Sequence, residues 1–387
     1  MKFPKLFKPS MPPASYVAAI VFALLFLVLG GRAVADVDLF AEEGVELIRA
    51  RALRIISVEE DNYSEDDESL VMTTVIFEAK ALSGPRKGLT LRCMQQLDNI
   101  YGLALPQVKP RDAVMLDVQK TGDGTAQFVL TEFVRTGPLI WLGLLFAALL
   151  VLFGRKKGAN TLLSFAFSIL AIFLVLVPAL LSGRNIYLWS LLICVYIVVT
   201  NLLIVQGAGA KSLAAALGCL GGVLCAGLVM LLANRPMHIT GLIEEDSIYL
   251  KSMGIDIRAT VFCMILIGSV GALMDVAMDI AAALSELRQG NPDIDAKGLM
   301  RAGVNIGQDL IGTMANTLVL AYIGESMGLL LVMIYYSPSA AYMINREMIS
   351  VAILQCLAGC LSVLAVVPLT SFFCSVLYSG KPKTVKY

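Results

Sequence analysis

The sequence predicts an α-helical multi-pass membrane protein with about eight transmembrane helices and one small inserted β-barrel-like domain. Of its 387 residues, 58% are hydrophobic and only 16% are charged, whereas a soluble chain carries about 25% charged residues. The charges are concentrated in residues 32–136 and in short loops. Long apolar segments fill most of the remaining chain, and the one polar stretch shows the alternation typical of β-strands.

The first apolar run, Ala14–Gly31, follows a lysine-rich start and is close to the ~20 residues that span a bilayer. Two interpretations are open for it. Ala33 and Ala35 fit a signal-peptidase site that would release the segment, whereas a signal anchor would stay as the first helix. Because the cleavage motif alone is weak, we assign residues 1–35 to an N-terminal anchor helix.

Residues 36–136 form the only soluble-like stretch and are predicted to be an extracytoplasmic β-rich domain. In Ser69–Lys80, apolar and polar positions alternate and many residues are β-branched, which indicates a strand. Thr121–Gly124 predicts a hairpin turn. The acidic segment Glu59–Glu68 has the charge to bind a cation, but such runs are usually exposed, so we expect a solvated loop. Five runs together predict a small barrel of the five-stranded OB type. They are Val45–Val58, Ser69–Lys80, Gly88–Gln95, Asp112–Lys120 and Thr125–Phe133.

Residues 137–387 are predicted to be a seven-helix transmembrane domain. Lysine and arginine are enriched in alternate loops, and such residues favour the cytoplasmic side. This pattern places both termini in the cytoplasm and the β domain outside. The seven helices are Gly137–Phe153, Thr161–Leu181, Ile186–Gln206, Ser212–Leu232, Ile257–Leu284, Gln308–Tyr336 and Met348–Tyr378.

Two of these helices carry acidic or amide residues at spacings of four or seven residues, which places them on one helical face. Asp275, Asp279 and Glu286 share one face of the sixth helix, counted from the first, with glycines at its outer end. A charge in the hydrocarbon core costs at least about 2.5 kcal/mol, so these acids are expected to face a cavity or a partner helix. Alternatively, they lie near the cytoplasmic surface and pair with basic residues of the loop 285–304.

The seventh helix repeats this arrangement with Asn305, Asp309 and Asn316 on one face. Its length and the glycines around Glu325 predict a break, and broken helices expose backbone polar groups at ion and substrate sites. We therefore predict a polar pocket between the sixth and seventh helices. Its candidate ion- or substrate-binding residues are Asp275, Asp279, Asn305, Asp309, Asn316 and Glu347.

Four segments of the helical domain carry recognisable motifs, and a fifth in the β domain is weaker. They are Gly271–Met278, Gly307–Tyr322, Asn345-Arg346-Glu347 and Val367–Thr370, with Ser83–Gly88 as the weaker one. Together these segments resemble the bacterial YibE/F-like membrane protein family. The resemblance implies a multi-pass protein of the bacterial cytoplasmic membrane and carries Asp275, Asp309, Asn316 and Glu347 as family motif positions. It implies no settled activity. Asp279 and Glu325 depart from the family pattern.

Three classes of function remain to be weighed. A secondary transporter or channel-like protein for an ion or small solute is preferred, and no Walker motif indicates a self-powered pump. The alternative is an accessory or assembly protein whose outer β domain binds an envelope or protein partner, with the polar helix face forming a contact with a second copy or another membrane protein. An enzyme is not expected: His238 is the only histidine and no nucleophile motif occurs. No cofactor, catalytic residue, metal site or nucleic-acid partner is predicted.

Overall fold

The computed structural model describes residues 13–35, 46–62, 71–98, 106–120, 126–241 and 245–378. The predicted turn Thr121–Gly124 and most of the acidic segment Glu59–Glu68 lie outside these residues. The described chain is mostly helical. Its helices are α1 (Pro13–Ala33), α2 (Thr136–Ala171), α3 (Val177–Leu181), α4 (Ile186–Val205), α5 (Ala210–Met237), α6 (Glu245–Ser252), α7 (Ile257–Gly290), α8 (Ala296–Glu325), α9 (Met327–Tyr336), α10 (Ala340–Ile344) and α11 (Glu347–Tyr378). Its strands are β1 (Leu47–Asn62), β2 (Val71–Ala81), β3 (Thr90–Asp98), β4 (Ala113–Lys120) and β5 (Ala126–Phe133).

The chain divides into two compact units. One unit spans residues 40–149 and contains the strands, and the other combines residues 1–39 with residues 150–387. Each unit has its own buried core of apolar side chains.

The strands close into a five-stranded barrel in the order β1-β2-β3-β5-β4, which confirms the predicted strand number. β1 is long enough to pair with β4 through its first five residues and with β2 from Ala50 onward. Two irregularities of register in β1, after Ala52 and after Ile55, bend the strand between its two partners. β3 and β5 pair in parallel, and the other neighbours are antiparallel.

Alternating side chains of the strands fill the barrel. Val75, Phe77 and Ala79 of β2 are fully buried, as their period of two predicts. Gln95 is the buried polar residue of this core. Its amide donates to the carbonyl oxygen of Pro106 at 3.0 Å and accepts from the backbone nitrogen of Val108 at 2.9 Å. These bonds satisfy the buried amide and fasten the chain before β4 against β3.

α1 is an integral part of the helical unit. Phe26 stacks on Tyr196 of α4 with ring centroids 4.2 Å apart, and the Tyr16 hydroxyl donates to the side chain of Asn160 at 3.0 Å. Gly30 lies directly against Val175, where a larger residue would collide. The assignment of residues 1–35 as an anchor stays a prediction.

Six described helices are long and apolar enough to cross a membrane, or seven if the bent pair α8 and α9 is counted as one span. The number of spans is lower than the predicted eight because Thr136–Leu181, a stretch of 46 residues, is counted as one span. Arg155 has non-helical dihedral angles within it (φ 50°, ψ −128°), and Gly158 approaches the backbone oxygen of Leu150. In a straight helix those two residues would stand about 12 Å apart. The chain therefore turns at Arg155, between the two segments that the sequence predicts as separate helices.

α11 is the central helix of the helical unit, because α5, α7 and α8 all pack on it. Small residues allow the close approach. Gly222 of α5 lies against Val366, and on α8 Gly303 lies against Ser371 and Gly307 against Val367. A side chain at any of these glycines would collide with α11, as expected for small residues four apart at a helix interface.

The connection between α7 and α8 is shorter than predicted. The sequence suggested a loop over residues 285–304, but α7 continues to Gly290 and α8 begins at Ala296. The side chain of Asp295 caps α8 by accepting from the backbone nitrogen of Gly298 at 2.9 Å, which explains the early start. The predicted break of the seventh helix is confirmed: α8 ends at Glu325, and α9 leaves at 61°.

Candidate functional site

α7 carries Asp275 and Asp279 on an exposed face. The helix starts where the Asp256 carboxylate accepts from the backbone nitrogens of Arg258 and Ala259, and it continues without interruption to Gly290. The predicted spacing is therefore realised. Both acids are exposed, whereas Leu273 on the other side of the helix is completely buried.

The polar face of α8 is also exposed. Asn305, Asp309 and Asn316 are accessible, while Gly303 and Gly307 hold the helix against α11. A side chain two positions further along a helix is rotated by about 200° about the helix axis. Asn305 and Asp309 each follow one of these glycines by two positions, so they point away from α11. The threonines on this face satisfy their hydroxyls on their own helix, Thr313 on Leu310 and Thr317 on Thr313.

The two helices run antiparallel, and two contacts fix their relative level. Leu284 of α7 lies at Gly303 of α8, and Gly268 of α7 lies at Tyr322. Interpolating between these contacts puts Asp279 level with Asp309. Asp275 then stands about one turn further from the α7–α8 connection, beside Thr313. The structure thus brings the three acids to neighbouring levels of one helix pair.

The basic residues of the α7–α8 connection do not neutralise these acids. Arg288 donates to the carbonyl oxygen of Ile294 at 2.6 Å and so holds the turn. Among the described residues, no ion pair or hydrogen bond involves Asp275 or Asp309. Asp279 differs, because Lys211 at the start of α5 lies within electrostatic range of Asp279 and Glu286.

Glu347 lies apart from the other candidates. At the start of α11, its carboxylate accepts from the backbone nitrogens of Thr240 and Gly241 and from the Thr240 hydroxyl, all at 2.6 to 2.7 Å. Gly268 of α7 and Gln355 of α11 are neighbours, so they lie at one level of the bundle. Measured along the helices from that level, Asp275 lies about 10 Å away, and Glu347 lies about 12 Å away in the opposite direction. The structure therefore gives Glu347 a role in joining the loop after α5 to the start of α11 and leaves roughly 20 Å between it and Asp275.

Two features of this region were not predicted from the sequence. The spacing Gly303-x-x-x-Gly307 is a recognisable signal for helix packing and would have predicted the α8–α11 contact. Tyr322 is the second: its hydroxyl is buried and reaches Gly268 of α7. No spacing rule reveals that contact, because it depends on the level at which the two helices meet.

Comparison with known proteins identifies the family. The model of the YibE/F-like protein family matches residues 142–380. The chain belongs to the YibE/F-like family. No curated protein and no solved structure matches the chain.

The YibE/F-like match covers every candidate site residue, from Asp275 to Glu347, and confirms the resemblance seen in the helical motifs. It begins within α2, after the last strand. The resemblance suggested for Ser83–Gly88 in the barrel is therefore outside the matched residues and stays a prediction.

Proposed function

We propose that this YibE/F-like chain is a multi-pass protein of the bacterial cytoplasmic membrane and acts as a secondary transporter or channel-like protein for a small cation, alone or with a small solute. Both termini are cytoplasmic in this proposal, and the barrel lies outside. The family match and the apolar helices support membrane insertion. Counting the segments before and after Arg155 as two spans keeps the basic residues Arg155–Lys157 on the cytoplasmic side.

The observation that carries the proposal is the pair Asp275 and Asp309. These carboxylates lie at neighbouring levels of antiparallel apolar helices and have no ionic partner among the described residues. Acids exposed on such helices are too costly to face lipid, so they require a hydrated space or another protein surface. α8 also breaks before α9, and broken helices are a feature of ion and substrate sites in transporters.

The direct test is ion flux through the purified protein in sealed proteoliposomes. An imposed gradient of protons, sodium or potassium would drive flux, reported by a pH- or ion-sensitive dye. We expect Asp275→Asn and Asp309→Asn to lower that flux at least tenfold, because each removes a charge that attracts the cation. Asp293→Asn, in the exposed α7–α8 turn, is the matched control and keeps the wild-type flux.

Folding of the variants decides how a loss of flux is interpreted. Both variants should insert and elute as monodisperse protein, since neither acid makes a packing contact that the amide would lose. Unfolding of both variants, or wild-type flux in both, contradicts the proposal. The comparison requires equal amounts of reconstituted protein in all vesicles.

A second candidate function is an accessory protein whose outer barrel binds an envelope or protein partner. It is favoured by an open cavity of about 330 Å³ in the barrel unit, lined mainly by apolar groups of Leu47, Met115, Phe133 and Leu139 beside Arg49. The exposed polar face of α8 would then contact a second copy or another membrane protein. Copies that carry Thr313→Cys would be tested for a disulfide cross-link between copies in native membranes. A yield of cross-linked protein that does not fall when the protein is diluted would support this alternative over transport.

A further inference from the structure

We propose that the open cavity between the barrel and the first turn of α2 binds one anionic phospholipid of the surrounding membrane. The phosphate lies at Arg49 and Arg51, and the apolar part of the lipid lies against Leu47 and Leu139. The inference rests on the proposed membrane insertion of α2 and goes beyond transport, because it does not require that ions cross the membrane.

The cavity lies where the barrel passes into an apolar helix. β5 ends at Phe133 and α2 begins at Thr136, so only two residues separate them. On the second turn of α2, Trp141 is 76% exposed, and tryptophan is enriched at the membrane–water interface. Trp141 is about 8 Å beyond Thr136 along the helix. Because Thr136 and Leu139 line the cavity, its opening falls at the level of the lipid headgroups once α2 enters the membrane.

Apolar groups form most of the cavity wall. The barrel contributes Leu47, Met115 and Phe133, and α2 contributes Leu139. The volume of about 330 Å³ is at the lower end of the range for small-molecule sites. Such a space accommodates the glycerol region and the first carbons of an acyl chain, while the charged headgroup stays at the rim. Covering the two exposed leucines with hydrocarbon supplies the apolar part of the binding energy.

Positive charge is concentrated on the rim of the cavity. Arg49 lines the cavity, and Arg51 stands two residues further on the same exposed face of β1, about 7 Å away. Lys80 of β2 is exposed and is the register partner of Arg51. Like charges at directly opposed positions destabilise a sheet, and a phosphate bound beside them would relieve that repulsion.

The carboxylates of the neighbouring strands are engaged elsewhere. Glu132 accepts from Arg135 at 2.7 Å, and Glu78 accepts from Arg54 at 2.9 Å. Asp117 of β4 does not line the cavity. In the part of the chain that the structure describes, none of the ion pairs includes one of the three cations on the rim. The rim therefore keeps positive charge that suits an anionic headgroup.

A phospholipid matches both halves of this site. Its phosphate forms charge-assisted hydrogen bonds with arginine, and its chains suit the apolar wall. Anionic lipids attract basic residues next to a membrane span, and the membrane that α2 enters supplies the lipid at high local concentration. A free phosphate ion would leave the apolar wall open to water, so the cavity favours the lipid over the free anion.

Binding is measured on purified full-length protein in detergent by native mass spectrometry, which counts bound lipids. The protein is titrated with phosphatidylglycerol and, separately, with phosphatidylcholine that has the same acyl chains. We expect one phosphatidylglycerol to bind at least fivefold more tightly than phosphatidylcholine. Arg49→Gln combined with Arg51→Gln should remove that preference. Leu47→Asn should weaken the binding of both lipids, because it changes the apolar wall and leaves the charge.

Lys87→Gln combined with Arg92→Gln is the matched control, because it removes two exposed charges of the barrel outside the cavity and should keep the preference. The proposal is overturned if the two lipids bind equally or if the variant at Arg49 and Arg51 keeps the preference. Displacement of the lipid by inorganic phosphate would assign the rim to a free anion and overturn it too, as would a stoichiometric protein bound at the cavity in place of lipid. Lipid binding by a protein that carries no ion contradicts the proposed transport alone.

Discussion

The carboxylate of Glu347 accepts hydrogen bonds from both the backbone nitrogen and the hydroxyl of Thr240, at 2.6 and 2.7 Å. Because Gly241 donates to the same carboxylate at 2.6 Å, the loop after α5 is fastened to the first turn of α11. The contact joins segments separated by more than a hundred residues. It also explains structurally why an acid belongs at this motif position.

Replacing Glu347 should therefore loosen the end of the helical unit at which α5 ends and α11 begins. We expect Glu347→Ala to reduce the stability of the helical unit by about 2 kcal/mol, since hydrogen bonds to charged groups contribute more than neutral ones. Thr240→Val, which removes one of the three bonds, should have a smaller effect. Thermal unfolding in detergent measures both, and a Glu347→Ala protein as stable as Asp293→Ala would contradict this role.

The α8–α11 interface offers a test in which one glycine serves as control for another. At Gly307 an added Cβ would collide with Val367, whereas at Gly312 it would meet nothing within 4 Å. Gly307→Ala should destabilise the protein by about 1–3 kcal/mol through overpacking. Gly312→Ala should be neutral or slightly stabilising, because alanine favours helices. Equal unfolding temperatures for the two variants would show that α8 does not pack as described.

The proposed topology predicts where reporter fusions work. Alkaline phosphatase joined after Arg135 should be active, because the barrel lies outside the cytoplasm in this proposal. A fusion after Lys157 should be inactive, since residues 137–153 carry the chain across the membrane to the cytoplasm in this proposal. Equal activity of the two fusions at matched expression would mean that residues 137–153 do not cross the membrane.

Burial raises the pKa of the Cys93 thiol to about 12 in the barrel core, against about 8.5 in an unfolded chain. A raised folded pKa means that the stabilisation is fully present below pH ~8.5 and is lost as the pH rises toward 12. The difference in stability between wild type and Cys93→Ala should therefore shrink above pH ~8.5. A difference that stays constant up to pH 10.5 would contradict a buried neutral thiol.

Much of this architecture could be predicted from local pattern. Period-two alternation in residues such as Val75, Phe77 and Ala79 identifies strands, and long apolar runs identify helices, because both signals depend only on neighbouring residues. The spacing of Asp275 and Asp279 likewise fixes their common face. The start of α8 was missed because its first turns are polar and are held by the cap at Asp295, which hydropathy does not register.

The sequence by itself determined the helical class, the five strands, the broken seventh helix and the family. Only the tertiary structure decided which faces meet: that Asp279 stands level with Asp309, that Glu347 is bound to Thr240, and that the Tyr322 hydroxyl reaches Gly268. The physical reason is that periodicity sets the direction of a side chain about its own helix axis. The level and rotation of one helix against another depend on packing among distant residues, here on the glycines that let α5 and α8 approach α11.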